Sequence, residues 1–305
     1  MNISSSVVIA TRNRLDDITT CLKSLKKQTV YPNELIIIDS SDTPLNKQNK
    51  FLDYFSNTFF KKPIKLIYKH TSRGAAYQRN VGIKLVTTDI VHFFDDDVIL
   101  QPNYIEKMNL VFQENPNYAG GMGDIENIPP KINNLWIILR KIFLLQRIYA
   151  SGTFTVSGMP THPYGTNKFK KVEVLGGCLM AYRTWALKDN IFDEKLTNYS
   201  YMEDCDLSKR VSKNYPLFFN PHAKLKHLES PVSREKIEDN RTVYIRNYTY
   251  LFFKNFYPKN RLKIIFYTWS IIGLFTEAIL SRNSKALKGY ARGLKNFYVD
   301  KNLRT

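Results

Sequence analysis

Cysteine is scarce in this chain: Cys21, Cys178 and Cys205 are three, an odd number, with no paired C-x-x-C spacing. That excludes a disulfide framework and a structural zinc site, and it suits a reducing compartment. Glycine and proline are also few, 13 of each in 305 residues, which removes the collagen-like and low-complexity classes. No internal repeat is visible, and residues 1–6 lack the basic region of a secretory signal, so a cytoplasmic protein is expected. Acidic residues thin out toward the C-terminus: residues 207–305 hold 20 Lys and Arg against 6 Asp and Glu, or +14 of the formal +18. That end is built to meet something anionic. Nucleic acid is not expected there, because no recognised module is present and the cations accompany an apolar helix rather than stacking aromatics.

Hydrophobic residues make up 43% and aromatics 13%, enough for one large α/β domain with an appendage. Four short apolar runs, at residues 6–10, 35–38, 64–68 and 90–94, suit parallel strands covered on both faces. Helical patterns lie between and after them at residues 15–27, 74–85 and 103–115. This alternation predicts a doubly wound, mostly parallel sheet, whose ligands sit at the carboxyl ends of the strands. The residues found there are polar: Thr11-Arg12-Asn13-Arg14, Asp39-Ser40-Ser41-Asp42 and Asp95-Asp96-Asp97.

Three adjacent carboxylates repel one another unless a cation offsets them, and a divalent ion bridging phosphate oxygens is the natural candidate. The alternative is a solvated acidic turn or a helix cap. Upstream, Arg79 in residues 74–82 offers a planar cation for a phosphate or base, with an ordinary connecting helix as the other reading. Asp39 is placed to accept from a base imide, or else to form its own turn. In the second half, Glu203 and Asp204 open a predicted helix, where a carboxylate can take a proton from a sugar hydroxyl or simply cap the helix. Cys178 and Cys205 read as small packing residues. His227 alternates with Leu225 in a strand-like segment and could point into the same crevice.

Two apolar stretches stand apart. Residues 135–149 are interrupted by Arg140, Lys141 and Arg147. Residues 262–280 contain an uncharged core of only 13, at 264–276, about 20 Å as a helix against a hydrocarbon core of about 30 Å. That is too short to span comfortably, and the basic run Arg282, Lys285, Lys288, Arg292 and Lys295 follows. The stretch reads either as an interfacial helix on anionic headgroups or as a core helix.

Taken in order, VVIATRNR, LIIIDSSD, GAAYQRNVG, HFFDDDV, VLGGCLMAYR and MEDCDLSKR resemble the family-2 glycosyltransferases of GT-A fold, over residues 5–230. The resemblance implies a Rossmann-like catalytic domain at 1–230, with a nucleotide-sugar half at 1–125 and an acceptor half at 126–230. A basic helical extension follows at 231–305. It further implies an inverting enzyme that uses a nucleotide-diphosphate sugar, UDP- or dTDP-linked, and Mn²⁺ or Mg²⁺. By position, Thr11, Asp39, Arg79, Asp95 and Asp96 fall on the donor. Asp97, Asp95 and more loosely His227 fall on the metal. Gly176, Gly177 and Cys178 fall on the acceptor side, with Asp204 as base supported by Glu203. One departure is Ser40, where many members carry a second acidic residue directly after the first.

The expected acceptor is a glycan or lipid-linked saccharide, and an anionic membrane surface is the expected further partner. The Lys-, Asn- and Ile-rich composition fits a bacterial surface-polysaccharide enzyme acting at the inner face of the cell membrane. Two alternatives are a catalytically inactive binding or scaffold protein and a sugar nucleotidyltransferase. The second is disfavoured because residues 11–14 lack the glycines of a phosphate loop.

Overall fold

In a computed structural model of the chain, described for residues 3–56, 58–128, 134–146, 152–197, 200–231, 237–300 and 303, the N-terminal half alternates strand and helix as the apolar runs predict. In chain order come β1 (Ser5–Thr11), α1 (Leu15–Leu25), β2 (Glu34–Asp39), α2 (Asn49–Tyr54), β3 (Lys65–His70), α3 (Ala75–Ile83) and β4 (Ile90–Asp95). Next are β5 (Val98–Leu100), α4 (Tyr104–Glu114), β6 (Gly120–Ile125), α5 (Asn134–Ile142), β7 (Lys170–Val172) and β8 (Met180–Arg183). The chain continues through α6 (Glu203–Val211), β9 (Leu217–His227), α7 (Ile237–Asn255), α8 (Lys263–Leu280) and α9 (Ser284–Val299).

The strands form one sheet in the order β3-β2-β1-β4-β8-β6-β9-β5, with β7 pairing the other way onto β9. β1, β2, β3, β4, β6 and β9 share one direction, so the sheet is mostly parallel as expected. β1 lies between β2 and β4, with Thr11 opposite Asp39 and Ala10 opposite Asp95. The strand order reverses there, and the crevice outside the carboxyl ends of such strands is where ligands bind. The runs in β1, β2 and β4 are buried on both faces, whereas β3 is the sheet edge and its residues are half-buried or exposed. Close packing of α3 on β1 requires Gly82, because a Cβ there would lie 2.4 Å from Val8 Cγ1.

The apolar residues separate into two clusters. One surrounds the sheet and its flanking helices. The other joins α7, α8 and α9 to Val174, Met202 and Cys205, directly behind the start of α6. Helix α8 runs five residues beyond the uncharged core read from the sequence and is long and apolar enough, by length and composition, to cross a membrane. Arg147 lies outside the described residues.

Candidate active site

Of the residues that the resemblance places on the donor, the metal, the acceptor and the base, all except Asp39 line one cavity of about 380 Å³ at the carboxyl ends of β1 and β4. Asp39 is fully buried beside it. Its Oδ1 accepts from the Ser41 N–H at 2.8 Å, and its Oδ2 from the Leu45 N–H at 2.8 Å and the Tyr68 hydroxyl at 2.6 Å. The carboxylate thereby fixes the loop after β2.

The three aspartates have three different surroundings. Asp95 is the most open, and its Oδ1 accepts from Arg79 Nη2 at 2.7 Å. Asp96 points inward, where it accepts from Thr11 Oγ1 at 2.7 Å and Arg14 Nη1 at 2.9 Å. Burial pushes its carboxyl up to about 7, against the pull of Arg14. Asp97 is 2% exposed; its Oδ2 accepts from the Ser230 N–H at 3.0 Å and lies 3.6 Å from Arg14. Burial opposes its ionised form, but His227, Arg14 and the Ser230 N–H outweigh burial and hold it below the ordinary range.

Asp97 Oδ1 is buried with no well-formed hydrogen bond, and His227 Nε2 lies 3.1 Å from it. The ligand-capable atoms of Asp95, Asp97 and His227 all lie within 4.8 Å of one another. Two carboxylates and an imidazole around an unsatisfied buried oxygen fit a divalent ion.

Arg79 ties Asp95 to the start of α6. Its guanidinium is 6% exposed, pairs with Asp95 and with Glu203 Oε1, and reaches the Gly177 carbonyl at 3.3 Å. Burial disfavours its charge, but Glu203, Asp95 and Asp204 more than compensate and raise its basicity. Burial pushes Glu203 up, to about 8, despite Arg79. The start of α6 is set by a tight approach in which Ser200 and Met202 are both left-handed, at φ 49° and 71°. Backbone held in that region is strained, and here it turns Glu203 and Asp204 into the cavity. Asp204 Oδ2 accepts from the Gly177 N–H at 2.7 Å and its Oδ1 from the Cys205 N–H at 2.8 Å.

Gly176 admits the Tyr164 hydroxyl, since a Cβ there would collide with it. Cys178 is buried, and burial pushes its thiol well up, which suits packing rather than nucleophilic chemistry.

Three contributors were given no role from the sequence. Arg14 is the cation beside Asp96 and Asp97. Gln78 Nε2 donates to the carbonyls of Thr11 and Ile38, stitching the ends of β1 and β2 together. His162 stacks flat on Tyr164, with ring centroids 5.1 Å apart, and sits with Asp204 and Cys205 within 4.8 Å at the ligand atoms. Spacing gives no signal for His162, which lies on an irregular segment. Arg14 had one: it follows β1 at the expected position.

The family comparison decides the lineage. Residues 6–189 match the family described as Glycosyl transferase family 2. The chain is a family 2 glycosyltransferase. Among relatives, it is 27% identical over 219 residues to the amylovoran biosynthesis glycosyltransferase AmsB of Erwinia amylovora, covering 70% of this chain and 65% of that protein. It is 27% identical over 123 residues to the UDP-Glc:alpha-D-GlcNAc-diphosphoundecaprenol beta-1,3-glucosyltransferase WfgD of Escherichia coli, covering 40% and 46%. An uncharacterized glycosyltransferase of Haemophilus influenzae is 33% identical over 112 residues, 37% of this chain and 35% of that one. The chain thus spans half or less of the length of several curated relatives it matches.

Among solved structures, S. aureus TarS 1-349 superposes with a TM-score of 0.58 at 17% identity, covering 97% of this chain and 80% of that one. GalNAc-T7, crystallised with UDP, GalNAc and Mn²⁺, superposes with a TM-score of 0.58 at 18% identity, covering 85% and 51%. These likenesses establish the glycosyltransferase fold, GT-A, for this chain.

Proposed function

We propose that this glycosyltransferase moves a sugar from a nucleotide-diphosphate donor, UDP- or dTDP-linked, to a hydroxyl of a glycan or lipid-linked saccharide, with inversion at the anomeric carbon. The acceptor would belong to bacterial surface-polysaccharide synthesis, and the site of action would be the cytoplasmic face of the membrane. One observation carries the reading: the Asp95, Asp97 and His227 cluster and Asp204 line the same cavity.

Asp95, Asp97 and His227 would hold Mn²⁺ or Mg²⁺, which when bound supplies Lewis-acid stabilisation of the departing diphosphate. Thr11, Asp39 and Asp96 shape the donor side: Thr11 and Asp96 bond to each other, and Asp39 sets the loop beside them. Asp204, oriented by the Gly177 and Cys205 N–H groups, takes the proton of the acceptor hydroxyl. The new C1–O bond forms as the C1–O(phosphate) bond breaks, the electron pair leaves with the nucleotide, and the proton ends on Asp204. Gly176, Gly177 and Cys178 line the acceptor side, and the Arg79–Glu203 pair fixes the start of α6 against Asp95.

Thermal stabilisation by UDP, TDP or GDP, each with Mn²⁺, identifies the donor class. The anomeric configuration of the product then tests the displacement: a retained configuration refutes it.

A further inference from the structure

Helix α8 turns one face to the protein and the other to solvent. Tyr267, Ser270, Gly273, Leu274 and Ala278 are buried. Leu262, Ile265, Phe266, Trp269 and Ile272, at helical spacing on the other side, are exposed, Leu262 at 69% and Ile265 at 65%. Helix α5 extends this apolar surface through Leu135, Ile138 and Ile142, all exposed and Leu135 at 71%. The two helices are fastened together. The Trp269 indole N–H donates to the Ile142 carbonyl at 2.8 Å, the Phe143 and Trp269 rings lie 4.9 Å apart, and Arg140 pairs with Glu277 at 2.7 Å.

An apolar stripe of this extent is uncommon on a soluble surface and marks an interaction site. Most of its polar groups are already satisfied within the protein: the indole N–H is taken, Glu277 is neutralised by Arg140, and the Thr276 hydroxyl donates to the Ile272 carbonyl at 2.9 Å. The stripe can therefore enter the interfacial region without orphaning a charge or the indole N–H, and the Thr268 hydroxyl can reach the headgroups there. Exposed cations stand at both ends of α8, Lys259 and Arg261 before it and Arg282 and Lys285 after it.

We propose that the α5–α8 face docks flat on an anionic lipid bilayer, with the stripe in the interfacial region and the terminal cations among the headgroups. A second copy of the chain would bring the same cations to the same rim, whereas anionic headgroups complement them. Helix α8 does not span, because its other face is committed to α9 and the second core. This docking stands independently of the catalytic reading.

The test is co-sedimentation of the full chain with phosphatidylglycerol-containing vesicles against phosphatidylcholine vesicles at low salt. Wild type should bind the anionic vesicles, and brominated phospholipid should quench an emission component that Trp269→Phe removes. Ile265→Gln with Ile272→Gln, both at exposed positions, should lower the vesicle partition at least tenfold while leaving transfer to a soluble acceptor intact. Arg282→Gln with Lys285→Gln should erase the preference for anionic lipid. The proposal is overturned if wild type stays in the supernatant, or if the isoleucine variant binds as well as wild type. It is also overturned if that variant instead dissociates a dimer, which would make a second copy the occupant.

Discussion

The Gly177 N–H donates to Asp204 Oδ2 at 2.7 Å, so the Gly-Gly-Cys segment holds the carboxylate that opens α6. A Cβ at Gly177 would lie 3.3 Å from that same oxygen. Asp204→Asn retains an acceptor for the N–H and loses the base. Donor-induced thermal stabilisation should persist while the transfer rate falls by about 10²–10⁴-fold. Gly177→Ala, which crowds the carboxylate, should lower kcat with little change in donor KM. Near wild-type turnover in Asp204→Asn would remove Asp204 from its role.

Arg79 is a single buried cation serving two carboxylates from distant parts of the chain, Asp95 and Glu203. Replacing it by Met leaves both without their partner, and breaking a buried pair in this way costs about 3–5 kcal/mol. Urea unfolding of Arg79→Met should show a loss of that order. The double variant Arg79→Met/Glu203→Gln should lose less than the sum of the single changes. Strict additivity would mean that the pair does not couple.

Asp97→Asn keeps an oxygen for the Ser230 N–H but removes the charge that faces His227. In wild type, UDP with Mn²⁺ at a hundred times its Kd should stabilise the fold by about 2.7 kcal/mol. The variant should lose the Mn²⁺-dependent part of that gain and keep its ligand-free melting temperature within a few degrees. Equal stabilisation of the two proteins would take the metal away from this carboxylate.

His92 gives the fold a pH dependence away from the cavity. Its ring is fully buried with Nδ1 unpartnered, and burial pushes its pKa down to about 4 even though Asn109 opposes the shift. The unfolded chain takes up this proton below about pH 6.5, which the folded chain resists, so stability is full above that pH and declines as pH falls. The contribution lost by pH 4 is ~3 kcal/mol. Between pH 7 and 5, His92→Gln should show a shallower decline in its urea midpoint than wild type; parallel curves would refute the assignment.

The first four strands were legible because each is a continuous apolar run bounded by polar residues, and the polar ends located the crevice. β6 was not, since Gly120-Gly121-Met122-Gly123 reads as a loop; Gly121 is there to admit the Phe218 ring. β5 is too short to announce itself, and β9 carries Pro221 within its run. The acidic members of the cleft were visible as charges that apolar strands and a helix start do not otherwise need. What each carboxylate bonds to was not. Asp39 and Asp96 look like Asp95 and Asp97 in sequence, yet they face inward and bind the chain itself, a difference made by contacts many residues apart.

Met202 belongs to the core that α7, α8 and α9 complete, and it immediately precedes Glu203 and Asp204. A version shortened at residue 230 would keep every ionisable group of the cleft and the Ser230 N–H on Asp97. It would nevertheless uncover the floor beneath the α6 entrance, where the backbone depends on its surroundings to stay left-handed. The helical C-terminal quarter is thus a buttress, and a trimmed chain is not a smaller enzyme.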